Sequence, residues 1–164
     1  MHIDSRERMF IIGSIVLLVV FASAIAVSAF ATGIQVPTPY QRVDPRIVAT
    51  PGSYPGLGFG DPLDERLREL SPGKYEVYIL AQTWAFTPNE VRVPAGSTVT
   101  FYLTSKDVQH GFRLDGTNVS MMVLPGEVSK LTATFDTPGT YNFVCHEYCG
   151  VAHHTMYGKL VVEP

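Results

Sequence analysis

Between Val144 and Met156 the chain reads VCHEYCGVAHHTM, which crowds two thiols, a carboxylate, three imidazoles and a thioether into one short run. Cys149, His153 and Met156, with His110 upstream, make a thiolate, two imidazoles and a weak thioether, the ligand set of a blue-copper electron-transfer site. Ligands gathered on one loop, plus a histidine from a neighbouring strand, let a rigid β scaffold hold its geometry through a change of oxidation state. Cys145 is then a surplus thiolate. Two thiolates on one loop can bridge two metal ions, with one histidine and one weak donor left for each. The spacing also allows zinc, since two Cys and two His form a closed tetrahedral set. Met156 favours copper, because a thioether suits a soft, redox-active ion and adds nothing to a zinc site. A Cys145–Cys149 disulfide would close a very short loop and restrain the unfolded chain only modestly. Metal ligation is the better use of this pair.

The rest of the chain must position these groups. It has 164 residues, 46% of them hydrophobic and 16% charged, room for one domain and an appendage. A net charge of −3 and the lack of a basic patch argue against a nucleic-acid partner. No glycine-rich phosphate loop is present.

No charged residue lies between Arg8 and Arg42, and Met9 to Ala31 is apolar or small throughout. As a helix rising about 1.5 Å per residue, that stretch reaches about 35 Å, enough to cross a bilayer core. Ser28-Ala29-Phe30-Ala31 resembles a signal-peptidase site, but the apolar run exceeds the roughly 7–15 residues of a cleaved leader. The expectation is a retained anchor surrounded by membrane lipid. Arg6 and Arg8 lie before the span and Thr32–Gln41 carries no basic residue, which predicts a cytoplasmic N-terminus and a domain on the periplasmic or outer face.

The predicted division is 1–36 for head and anchor, 37–74 for a Pro/Gly-rich linker running irregularly over a surface, and 75–164 for the folded domain. Within the linker, Asp61 as N-cap, Pro62 at the first position and Leu63, Leu67 and Leu70 on one face predict a short helix. Beyond it, 75–80, 91–93, 98–103, 131–135, 141–144 and 157–162 read as short strands between Pro/Gly turns. An all-β, antiparallel sandwich follows.

The run Cys145-x-Glu147-x-Cys149-Gly150-x-x-His153-x-x-Met156, with Asp107-x-x-His110 upstream, resembles the binuclear copper-A signature of cytochrome c oxidase subunit II. The likeness extends to the anchor, to Arg42-Val43-Asp44-Pro45 and to Leu124-Pro125-Gly126-Glu127. A single anchor and a compact domain resemble the short subunit II of B-type haem-copper oxidases. The resemblance implies a cupredoxin-like β-sandwich holding two copper ions bridged by Cys145 and Cys149. His110 and Met156 would complete one ion, and His153 with the backbone carbonyl of Glu147 the other. It also implies cytochrome c as donor and haem in subunit I as acceptor.

Trp84 falls where the family has an aromatic patch that receives electrons. In A-type relatives the side chain at the Glu147 position also helps to hold magnesium, a role not carried over here. Asp107 is either a support for the ligands, a docking residue or a loop carboxylate, and His146 and His154 are expected to face solvent or a partner. A nitric oxide reductase subunit with the same copper site is an alternative with identical electron chemistry. A nitrous oxide reductase would need a large further domain, and a stand-alone copper carrier would be richer in methionine or thiol near its site.

Overall fold

The computed structural model describes residues 4–164, so the first three residues of the predicted head lie outside the described residues. The chain forms two compact units, divided after Ile34. The first is dominated by one helix, α1 (Ser5–Thr32). Asp4 caps it by accepting a hydrogen bond from the Arg6 amide, and Gly33 ends it in the left-handed region (φ 62°) with its N–H turned back to Ala29 and Phe30. None of the α1 side chains is buried within this chain, and its most apolar window has a mean hydropathy of 2.9. The helix is long and apolar enough to cross a membrane.

The second unit is a sandwich of two sheets. The larger sheet runs β1 (Thr38–Arg42), β9 (Glu127–Phe135), β6 (Ser97–Ser105), β3 (Lys74–Gln82), β2 (Leu67–Ser71), with β4 (Ala85–Thr87) also on β3. The smaller runs β5 (Glu90–Pro94), β11 (Tyr157–Glu163), β10 (Gly139–Val144), β7 (His110–Leu114), β8 (Ser120–Val123). Alternation decides which way each strand faces. On β6, Val99, Phe101 and Leu103 point into the core, while Thr98 and Thr100 pair outside with Thr134 and Thr132 of β9. Between the sheets, the buried Phe86, Phe101, Phe112 and Phe143 meet edge-on or tilted at 4.9–5.9 Å.

Three sequence expectations need correction. The sandwich is not purely antiparallel: β3 runs parallel to β6, and β5 parallel to β11. Between β3 and β6 the chain visits the smaller sheet through β5, and between β5 and β11 it visits the larger sheet twice, through β6 and β9. The segment expected to wander from 37 to 74 supplies β1 and β2, and between them Val43, Val48, Leu57 and Phe59 form a second buried cluster with Tyr78, Leu80, Tyr102 and Val128. The helix expected at Asp61–Leu70 shrinks to one 3-10 turn, Leu63–Glu65, and Leu67–Ser71 is a strand. So few residues cannot repay helix nucleation, whereas the β3 edge offers a ready ladder from Leu67↔Val77 to Ser71↔Lys74. Asp61 instead pairs its carboxylate with Arg68.

Phe112 touches three of the core rings and is fully buried. Phe112→Ala is expected to cost about 3–5 kcal/mol of stability, read by denaturant unfolding of the apoprotein.

Candidate metal centre

The ladder between β10 and β11 fixes the two ends of the ligand loop. Val144 pairs with Tyr157, and the Cys145 amide donates to the Met156 carbonyl at 3.1 Å. Cys145 therefore leaves β10 directly opposite the point where Met156 enters β11. Inside the loop, a 3-10 turn at His153–Thr155 is closed by His153 N–H to Gly150 O (3.1 Å) and Met156 N–H to His153 O (3.1 Å). Gly150 has φ 118°, a conformation that glycine adopts without strain. His110 opens β7, the strand beside β10, and is fully buried.

These elements bring the sequence-predicted donors together. The Cys145 and Cys149 sulfurs lie 3.8 Å apart. His110 Nδ1 is 3.9 Å and the Glu147 carbonyl oxygen 3.2 Å from Cys145 Sγ. His153 Nδ1 is 3.5 Å and Met156 Sδ 3.7 Å from Cys149 Sγ. The sulfur separation is far beyond the ~2.05 Å of a disulfide. It is the separation of two thiolates on one tetrahedral ion with bonds of about 2.3 Å. Each sulfur has its own imidazole and its own weak donor, so the donor set fits soft metal ions. Cys145, Cys149 and Met156 are each no more than 7% exposed.

Asp107 is the support that sequence reasoning left undecided. Its carboxylate accepts from Thr83 N–H (2.7 Å), Thr83 Oγ (2.8 Å), Val108 N–H (2.7 Å) and Ser105 Oγ (3.3 Å), and it meets His110 Nε2 at 2.9 Å. Partial burial alone would raise its pKa, but the hydrogen bonds from His110, Thr83 and Val108 outweigh burial and hold the carboxyl well below its usual range. The ionised Asp107 thus accepts the hydrogen bond of His110 Nε2–H, which leaves the Nδ1 lone pair turned toward Cys145. Burial first, and the neighbouring Cys145 second, push the Cys149 thiol upward.

Trp84 is 41% exposed and donates its indole N–H to the Cys149 carbonyl at 3.1 Å. It borders a cleft of about 490 Å³ that includes Asn89, Asn142 and Tyr157. A separate hollow of about 500 Å³, lined by Val108, Tyr148 and Gly150, opens over Cys149. His154 is exposed. His146 is exposed as well, although packing of its ring on Gly111 leaves only 28% of the side chain open. Sequence reasoning missed Gly111; a glycine inside a strand, next to a candidate ligand, was the available signal.

Paired thiols, imidazoles and a thioether at one end of a two-sheet sandwich define a cupredoxin-type copper-binding domain, here behind a membrane anchor. Residues 74–163 match the family described as cytochrome c oxidase subunit II, periplasmic domain. The chain is 37% identical over 159 residues to cytochrome c oxidase subunit 2 of Thermus thermophilus, covering 96% of this chain and 91% of that one. It superposes with a TM-score of 0.73 on a chain of a haem-copper terminal oxidase dimer, at 35% identity and with 96% and 99% of the two chains covered. The periplasmic domain of subunit II of cytochrome oxidase from Bradyrhizobium japonicum shares the fold at 20% identity, with a TM-score of 0.50 over 53% of this chain and 82% of that one. The chain belongs to the cytochrome c oxidase subunit II family. It is the subunit through which a haem-copper oxidase takes in electrons.

Two outcomes follow from the site. Asp107→Ala is expected to weaken copper binding by about 10–100-fold in competition titrations and also to lower the unfolding midpoint of the apoprotein, because Thr83, Val108 and His110 lose their acceptor. Because the Cys149 thiol is held protonated and ligation requires the thiolate, copper uptake must release its proton. Apparent affinity, measured against a chelator corrected for its own protonation, is therefore expected to rise with pH through the neutral range.

Proposed function

We propose that Cys145 and Cys149 bridge a pair of copper ions, with His110 and Met156 completing one and His153 and the Glu147 carbonyl the other. The carrying observation is the pair of sulfurs 3.8 Å apart, with two imidazole Nδ1 atoms, the Glu147 carbonyl and the Met156 thioether within 3.9 Å of one or the other. The division of these four donors between the ions follows the family resemblance. A copper pair supplies one-electron redox chemistry with the charge spread over two ions. The chain's part is to keep the donors at fixed separations, out of water, whichever state the pair is in. The β10–β11 ladder and the Asp107 hydrogen bonds do this for loop and histidine respectively.

Cytochrome c is the proposed donor and subunit I of the oxidase the acceptor. Trp84 supports this reading: part of its ring is open to solvent and its indole nitrogen is bonded to the backbone of Cys149, so a donor touching Trp84 is one hydrogen bond from a ligand residue. The domain also exposes the apolar or aromatic side chains Val108, Tyr148, Val151 and Tyr157, and Glu90 and Lys159 join Trp84 in lining the adjacent cleft. Residues 1–36 would anchor the chain in membrane lipid with the N-terminus cytoplasmic. Residues 37–74 would connect, while lending β1 and β2, and 75–164 would hold the copper on the periplasmic or outer face.

Full-length protein in detergent is expected to bind two coppers per chain and to give the hyperfine pattern of one electron shared by two nuclei. Cys145→Ser is expected to abolish that pattern; a mononuclear spectrum from the unaltered protein would defeat the reading. Trp84→Ala is expected to slow reduction by cytochrome c about tenfold, equivalent to about 1.4 kcal/mol of barrier, in stopped-flow mixing. An unchanged rate would remove Trp84 from the path.

A further inference from the structure

β3 and β6 are parallel neighbours with Ala81 opposite Ser105, so the loops that follow them leave the same end of the sheet. The Lys106 amide still reaches back to the Ala81 carbonyl at 3.0 Å. Two residues past the Ala81–Ser105 pair stand Thr83 on one loop and Asp107 on the other. Thr83 gives both its amide N–H (2.7 Å) and its hydroxyl (2.8 Å) to Asp107 Oδ2. The other oxygen, Oδ1, meets His110 Nε2 at 2.9 Å and accepts from Val108 N–H at 2.7 Å. The carboxylate is divided between a candidate ligand and the residue that directly precedes Trp84.

The Trp84 ring is exposed, so burial alone does not fix its rotamer. Its indole N–H is tied to the Cys149 carbonyl at 3.1 Å. The same end of the ring lies against Gly150, where a Cβ would come 3.0 Å from Nε1, 3.4 Å from Cζ2 and 3.5 Å from Cε2. Those contacts hold the tip of the side chain. Its root is the main chain beside Thr83. We infer that Thr83 is a positioning residue for electron entry, acting through Trp84. Its hydroxyl and amide grip the Asp107 carboxylate and fix the main chain from which the indole springs. Without the hydroxyl the amide bond holds that turn alone, and the ring leaves the Cys149 carbonyl more often. Placement, not contact with the donor, is what Thr83 contributes, so its loss should slow transfer within the donor complex and leave donor affinity as it was. The inference rests on the reading of Trp84 as the entry residue.

The test begins without metal. Trp84 is the single tryptophan of the chain, so indole fluorescence reports its motion directly. In the full-length apoprotein in detergent, Thr83→Val is expected to enlarge the fast, local part of the anisotropy decay. Thr83→Ser, which keeps the hydroxyl, should leave the decay as in the unaltered protein. In the copper-loaded protein, Thr83→Val is expected to lower the rate of reduction at saturating reduced cytochrome c about threefold, the size set by one lost hydrogen bond. The donor concentration at half-saturation should not move, and Thr83→Ser should restore the rate. Added to Trp84→Ala, Thr83→Val should change nothing further, because the ring through which it acts is gone.

An unchanged rate in Trp84→Ala would overturn the entry reading itself, and the role of Thr83 with it. A slowed Trp84→Ala beside a Thr83→Val whose anisotropy and rate are unmoved would overturn the positioning role alone. So would further slowing by Thr83→Val on top of Trp84→Ala. A copper spectrum or reduction potential shifted by Thr83→Val would do the same, since its action would then run through Asp107 to His110. Thr83 is exposed, and the unfolding midpoint and copper content of every variant separate these outcomes from misfolding.

Discussion

Two thiols must stay 3.8 Å apart, close enough to share metal ions and too far apart to join as a disulfide. Nearly everything else in the domain serves that separation. The Cys145 amide is tied to the Met156 carbonyl, so the first thiol and the thioether leave and rejoin the sheet as a closed pair. The second thiol hangs from a loop whose interior is a 3-10 turn with its own hydrogen bonds and a glycine at φ 118°. A loop without these ties would let the sulfurs drift together in an oxidising compartment, where thiols a few residues apart are readily oxidised.

Asp107 is the second fixed point. It lies just past the end of β6, bonds Thr83 just past the end of β3, and holds His110 at the start of β7. One carboxylate therefore locks the ends of two strands in one sheet to a candidate ligand in the other. Its ionisation follows from the donors around it, and its charge in turn selects the His110 tautomer. Chemistry and scaffold meet in the same side chain, so loss of Asp107 should act on metal binding and on local stability together.

The candidate donors were legible because ligand chemistry is local: soft and imidazole donors at fixed offsets on one loop have few other uses. The core strands were legible for a similar reason, since Val99, Phe101 and Leu103 alternate with threonines that can face water. What stayed hidden depends on contacts distant in sequence. Parallel pairing of β3 with β6 cannot be read from either strand alone. The spacing of Leu63, Leu67 and Leu70 is helical, and only the neighbouring β3 edge overrides it, which leaves Leu67 packed on the core and Leu70 exposed. Gly111 looks like an ordinary glycine until the His146 ring arrives from a loop that follows much later in the chain.

The prolines and glycines between β1 and β2 are the largest departure from the sequence reading, and they have a physical role. The larger sheet is apolar on both faces: Val77 and Ile79 point inward, whereas Tyr78, Leu80 and Tyr102 point outward. Left bare, that outer face would expose stacked rings and aliphatic side chains to water. Val48, Leu57 and Phe59 cover it, Arg68 lies over the Tyr78 ring at 4.9 Å, and Lys130 lies over Tyr102 at 5.1 Å. The two phenols share one acceptor, the Glu76 carboxylate, so the stack is held at its polar end as well as its faces. β3 and β6 are thus gripped on both sides toward their C-terminal ends. Thr83 and Asp107, which position His110, sit just beyond the ends of those two strands. Rigidity at the metal centre therefore depends in part on a segment that carries no ligand and whose composition reads as loop.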